Sequence, residues 1–347
     1  MVRKKVVKNR DPDRWKPTRR ELLGAAAIAG VGLCADLPRG IAQETRPATS
    51  QSIWQPPGHP LAWIEQHPGR SRVIDIRSRK ALDATVVDRI ELGEMLDQGM
   101  QRLTGELVSA KAWRSVLGSA ERIVVKFNSV GADVIGTNSA CAELLFERLT
   151  GAGYTPESIT LVEAPAYMNK RLGTQDPVPG WGKSIRVGEG REPLARYLLD
   201  ADAIINVPFL KTHQIAGISA CMKNLSHAVI RHPARYHANG CSPYVGQVII
   251  SKEVSSRIKL NLINALRVVV NRGPDAREED VVGYGGLLMG FDPLAVDGVG
   301  LDVLAGERRR LKLPTSFRVP YIESAAQMGI GRWRPTDVER VAIETSA

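Results

Sequence analysis

Between residues 70 and 310 the apolar positions alternate between two rhythms. Short runs dense in β-branched residues predict strands: Arg122-Ile-Val-Val-Lys-Phe127, Ile159-Thr-Leu-Val162, Ala203-Ile-Ile-Asn-Val207 and Arg267-Val-Val-Val270. Between the first two, Ala142, Leu145, Phe146 and Leu149 share one face of a helix expected over 139–151, which Gly151 and Gly153 stop. The segment from Val73 to Leu117 reads as a strand followed by helices, with Leu92, Met95 and Leu96 in one apolar stripe. A short helix is expected around Leu194 to Leu199, after an excursion rich in Gly and Pro from Pro165 to Gly190. Another is expected from Asp292 to Leu304, with Asp292 able to cap it and Pro293 suited to its first turn. This order predicts an α/β fold: a mostly parallel sheet with helices on both faces and ligand loops at the C-terminal strand ends. The loops at 126–131 and 208–227 leave strands at that end, so three strands, ending near Phe127, Val162 and Val207, are expected to converge on one pocket.

The chain's start changes how its charge is read. Residues 1–20 carry nine Lys or Arg against Asp11 and Asp13, a net of +7, and an uncharged, small-residue segment runs from Leu22 to Ala35. That segment has the length of a signal-peptide core and is short for a membrane span. Thr18-Arg-Arg20 with Leu22 and Leu23 resembles the twin-arginine export signal, and Gly40-Ile-Ala42 offers a cleavage site before Gln43. A basic tail followed by a buried helix is the plainer alternative; a lipid anchor on Cys34 fits poorly after Leu33. The expected organisation is a twin-arginine signal peptide over 1–42, a flexible leader over 43–69, an α/β domain over 70–310 and a C-terminal extension over 311–347 packed on that domain. The expected partner of the signal is the twin-arginine export machinery, and the expected location is periplasmic or otherwise exported. The formal net charge of +10 falls to +4 without residues 1–42, and no Lys/Arg stripe interleaved with aromatics follows, so no nucleic-acid footprint is present. No second apolar span appears, so no stable membrane span is expected after processing. Beyond the signal stand Cys141, Cys221 and Cys241, an odd number with no CxxC pair, which argues against a disulfide framework or a cysteine-held cluster.

Candidate chemistry concentrates in Asn206–His227, which sets two lysines, two histidines and two asparagines around Gly217. Pro208 blocks strand continuation, so the chain is expected to turn there and present Lys211 and His213 outside the sheet. Residues 219–230 can be helical, which places Lys223 and His227 on one face beside Asn224. Two lysine–histidine pairs form a positive cup for a carboxylate or phosphate, and an imidazole there can relay a proton near neutral pH. Lys126 and Asn128 end the first confident strand, and Glu163 has the equivalent place after the next, as a base, a metal ligand or the partner of Lys126. Lys211, His213, Lys223, His227 and Glu163 are therefore the candidate catalytic groups. Lys126, Asn128, Lys223, Asn224 and Asp297 are the candidate cofactor-binding ones. His227, His232, His237 and Cys241 are candidate ligands for a divalent metal, although their spacing matches no common closed zinc signature. A loop touching a ligand through Tyr236 and His237 is the competing reading. The four glycines within 283–290 could let backbone amides approach an anion but lack the order of a phosphate loop.

Val-Val-Lys-Phe-Asn at 124–128, Ala-Asp-Ala-Ile-Ile-Asn-Val-Pro-Phe-Leu-Lys-Thr-His at 201–213, Gly217, Met-Lys-Asn-Leu at 222–225 and Asp-Pro-Leu-Ala-Val-Asp at 292–297 resemble the blocks of domain-of-unknown-function family 362. The resemblance runs over roughly residues 70–305 and implies a fold neighbourhood rather than a reaction. Some members of that family carry an iron–sulfur segment, for which this chain has no cysteine run. His213, Gly217 and Lys223 are more distantly similar to the nickel-pincer lactate racemases. There an apolar strand leads to a histidine, then a glycine loop, then a lysine ten residues on that holds a nicotinate-derived nickel cofactor; Cys221-Met222 stands here where those enzymes have a glycine pair. That likeness implies a lysine-linked organic cofactor on Lys223 as one candidate. The sequence thus leaves two functions: an exported enzyme acting on a small anionic ligand, and a non-catalytic periplasmic binding or accessory protein using the same pocket.

Overall fold

A computed structural model describes residue 59 and residues 61–345. The expected signal over 1–42 and the first part of the expected leader lie outside the described residues. Residues 61–64 of the stretch expected as a leader are packed, while 65–69 are exposed: Ala62–Glu65 forms a helical turn, and buried Trp63 donates its indole N–H to the Ile330 carbonyl at 2.7 Å.

Nine strands form one sheet. In chain order they are β1 (Ser71–Arg77), β2 (Ile123–Lys126), β3 (Ile159–Val162), β4 (Ala203–Asn206), β5 (Phe209–His213), β6 (Gly217–Ser219), β7 (Ile258–Val269), β8 (Val281–Gly290) and β9 (Val338–Glu344). Across the sheet the order is β9-β1-β8-β7-β4-β2-β3, with β5 pairing β7 beyond the end of β4 and β6 pairing β5. Strands β7, β4, β2 and β3 run parallel, as do β1 and β9, while β8 is antiparallel to both neighbours. The sheet is therefore mostly parallel, as the alternating rhythm predicts.

Helices cover both faces. On one lie α1 (Arg89–Thr104), α2 (Ser109–Leu117) and α3 (Asn138–Gly151), whose Leu92, Met95, Trp113 and Leu145 share one core with apolar side chains of β1, β2, β3 and β8. On the other lie α5 (Tyr244–Ile250), α6 (Pro293–Arg310) and α7 (Pro320–Gln327), which follow the four-residue α4 (Cys221–Asn224) in the chain. The Asp292 carboxylate caps α6 by accepting from the Leu294 and Ala295 amides, and Pro293 occupies its first turn. The residues of the expected extension supply α7 and, through β9, an edge of the sheet itself. No helix among the described residues is long and apolar enough to cross a membrane.

Three local expectations are corrected. The chain does not leave the sheet after Pro208: it resumes as β5 along the same long strand β7, and the break falls only at the residue that has no N–H to give. The Asn264 amide donates to the Pro208 carbonyl at 2.8 Å, which bridges the gap. The glycine-rich stretch 283–290 is buried strand β8 rather than a loop open to an anion. The excursion 165–190 contains a short helix, Met168–Leu172, and leads into a hairpin of Trp181–Val187 with Gly190–Ala195; Leu194 belongs to that hairpin, and the expected helix is shorter, Arg196–Leu199.

Candidate functional site

The parallel register aligns the strand ends: Lys126 on β2 lies opposite Val162 of β3 and Asn206 of β4. Lys126 is wholly buried, and its ammonium meets the Glu163 carboxylate at 2.9 Å, the Phe127 carbonyl at 2.7 Å and Asn224 Oδ1 at 3.3 Å. Burial lowers the Lys126 pKa, and Glu163 opposes that shift. Burial acts to raise the Glu163 pKa, but Lys126 and the amide and hydroxyl of Ser129 outweigh it and hold it below the usual range.

Lys211, in the middle of β5, donates to Asn128 Oδ1 at 2.9 Å and to the Val130 carbonyl at 2.7 Å. Its contacts are neutral oxygens, and burial brings its pKa down to about 7. Two residues on, His213 receives the Ile215 and Ala216 amides on Nδ1, both at 3.2 Å, so its proton sits on Nε2. Burial, with Lys223, His237 and Lys211 nearby, lowers its pKa to about 3 and keeps the ring neutral.

The segment after the hairpin forms only the single turn α4, not a helix over 219–230. Asp297 explains why that turn exists: its two carboxylate oxygens accept the Cys221 amide at 2.6 Å and the Met222 amide at 3.2 Å. Asp297 is itself fully buried, which raises its pKa to about 7. It thus positions α4 from behind, with both carboxylate oxygens engaged by the turn's amides and by the Tyr321 hydroxyl. Lys223 on this turn reaches His237 Nε2 at 3.4 Å and interacts with the Cys241 thiol; burial brings its pKa to about 8. His237 and His227 rings meet edge to face at 4.7 Å, and the His237 and His213 rings lie 6.1 Å apart. His227 donates through Nε2 to the Tyr236 carbonyl at 3.1 Å and has Ser226 Oγ 3.0 Å from Nδ1.

His227, His237 and Cys241 bring three ligand-type atoms within 4.8 Å of one another. His232, the fourth candidate, is corrected out of that group: its Nδ1 pairs with the fully buried Glu192 at 3.0 Å, beside Tyr236 and Arg235. Asn206, counted in the candidate stretch, and Asn261, not singled out from the sequence, complete the site. Asn206 donates to Asn261 Oδ1 at 2.9 Å and receives Asn224 at 2.8 Å, and Asn224 in turn receives Asn128 at 3.0 Å. An asparagine inside the apolar strand Leu260-Asn-Leu-Ile263 was the available signal, since a buried amide requires partners.

The arrangement gathers three buried lysines, three histidines and a thiol at the C-terminal ends of parallel strands, with Glu163 as the carboxylate paired to one lysine. It can hold an anion, and it offers two amines whose lowered pKa values let them give or take a proton near neutrality.

Residues 123–302 match the family model described as "Domain of unknown function (DUF362)", and the chain belongs to that family. Among solved structures, the lactate racemase apoprotein from Thermoanaerobacterium thermosaccharolyticum is a distant match, with a TM-score of 0.35 and 8% identity over 79% of this chain and 83% of that one. No curated protein sequence matches the chain.

Proposed function

We propose that this member of the family is an exported enzyme that binds a small organic anion between Lys211, His213 and Lys223 and moves a proton on it. The observation that supports this reading is the excess of buried cations: Lys126 has a carboxylate partner, whereas Lys211 contacts only neutral oxygens and Lys223 an imidazole and a thiol. Buried charge without a partner is costly, so an arriving anion stabilises both ammonium groups. An anion raises their pKa and turns each from an amine that accepts a proton into an ammonium that holds charge. Neutral His213, protonated on Nε2, is placed to pass a proton on. Export rests on Thr18-Arg-Arg20 and the uncharged segment after it.

A second reading has its own observation in the His227–His237–Cys241 triad, which suits a divalent metal by its donor set. In the present geometry Lys223 stands at His237 Nε2, so a metal bound there requires the lysine to move, while His227 can keep its Nε2 donation to the Tyr236 carbonyl only by ligating through Nδ1. A cofactor linked to Lys223 would instead use that amine directly. The non-catalytic binding protein differs from the enzyme in converting nothing.

The test is calorimetric titration of the purified full chain with lactate, glycolate and pyruvate, wild type against Lys223→Met, with metal analysis and native mass spectrometry of the same sample. The variant keeps the apolar stem, so melting curves should stay close while affinity falls about 30-fold or more, the equivalent of about 2 kcal/mol. A change within about threefold makes Lys223 a bystander and removes this reading. A stoichiometric metal or a mass adduct on Lys223 selects the corresponding cofactor reading. Binding without turnover of any of the three acids selects the binding protein.

A further inference from the structure

His213 faces outward as well as inward. It lines a cleft of about 830 Å³ between the hairpin turn Thr212–Ile215, the segment 239–243 and the segment 316–320. Arg272, Arg308 and Arg318 line the cleft, and no carboxylate does. Arg272 is neutralised by Asp280 at 2.8 Å and Glu279 at 2.9 Å. Arg308 donates only to the carbonyls of Val270 and Pro314 and lies 5.4 Å from the Phe317 ring; it has no acidic partner among the described residues. Arg318 is exposed and likewise has no ion pair among the described residues.

The wall that carries Arg318 is fixed by close backbone approach. Gly217, at φ +83°, lies against it so tightly that a Cβ would meet the Arg318 carbonyl oxygen at 2.2 Å, and a Cβ on Gly240 would meet Pro320 Cγ at 2.9 Å. Two guanidinium groups without an acidic partner among the described residues, Arg308 from α6 and Arg318 from the segment that Gly217 and Gly240 approach, therefore line this cleft together with His213. A cleft of this volume suits a molecule well beyond three carbons, since pockets of roughly 300–1,000 Å³ hold drug-sized ligands. The planar guanidinium fork matches the oxygens of a phosphate or carboxylate.

We propose that this cleft is an anion subsite continuous with the lysine–histidine cluster, and that the ligand is an extended organic anion. Its near end reaches His213, and its far end carries a second anionic group, phosphate or carboxylate, held by Arg308 and Arg318. This deepens the function proposed above and rests on it for the near end alone.

The experiment titrates the full chain with inorganic phosphate and with succinate at matched ionic strength, using wild type, Arg318→Ala, Arg308→Lys and Lys223→Met. Arg318 makes no side-chain hydrogen bond within the described residues, so Arg318→Ala removes charge without disturbing packing; melting curves check this for Arg308→Lys, whose parent ties two carbonyls. Each arginine variant should bind at least one of the two anions roughly tenfold more weakly, and the anion more affected identifies the far-end group as phosphoryl or carboxyl. Affinities unchanged in Arg318→Ala but lost in Lys223→Met would overturn the cleft and leave the inner cluster standing. Failure of wild type to bind either anion also overturns the cleft, while the lactate titration judges the inner cluster separately.

Discussion

Lys211 couples the site to pH. Its folded pKa of about 7 lies below the ordinary lysine value of 10.5 because burial penalises the ammonium. Between those values the unfolded chain holds a proton that the folded chain has released. Stability of the ligand-free protein therefore rises with pH from about 7 upward, and below 7 the burial penalty is present in full. Anion binding runs the other way: it needs the ammonium and weakens as pH climbs through 7 and 8. Urea melts at pH 6, 7.5 and 9 should show the first trend, and Lys211→Met should lower its slope, leaving the part that buried Lys223, with its pKa of about 8, and Lys126 contribute. An equal slope in the variant would assign the trend to another group. The sequence made this residue legible as a candidate, because a lysine two positions before a histidine after an apolar run has few structural reasons to exist. It could not show that the contacts would be Asn128 and Val130 rather than an acid, since those come from a loop 81 to 83 residues away.

At the scale of elements, α4 is a four-residue turn that owes its place to the carboxylate behind it. A single turn is too short to be stable alone, and Asp297 satisfies two of its free amides from α6. Asp297→Ala should leave both buried N–H groups without partners and destabilise the fold by about 2–4 kcal/mol, read from denaturant melts, with Lys223 losing its alignment. A loss under about 0.5 kcal/mol would mean that water replaces the carboxylate without cost. Helical and strand periodicity located β2, β3, β4, α3 and α6 because each is buried on a regular face. It missed β8, where glycines thin out the apolar pattern: Gly290 leaves room for Val296, whose Cγ2 would lie 2.7 Å from an added Cβ. It also stretched α4 into a longer helix, since propensity alone does not reveal a turn held by a distant cap.

For the whole molecule, export is the prediction. Replacing Arg19 and Arg20 together with Lys keeps the charge but removes the paired guanidinium groups, and should leave the precursor in the cytoplasm in a fractionation experiment. Continued export of that variant would discard the twin-arginine reading. The asparagines of the site add a consequence for when the protein becomes competent. Lys211 donates to Asn128, Asn128 to Asn224, Asn224 to Asn206, Asn206 to Asn261, and Asn261 to the Phe291 carbonyl at 3.0 Å, each link pointing the same way. Neighbours in this line are separated by as many as 96 residues, and they meet only once β2, β4, β7 and α4 have all docked. Until then every one of these amides is better served by water. On this topology the line is expected to close late in folding, with its members together. A chain carried across a membrane already folded arrives with that line intact, whereas one threaded through unfolded has to rebuild it on the far side.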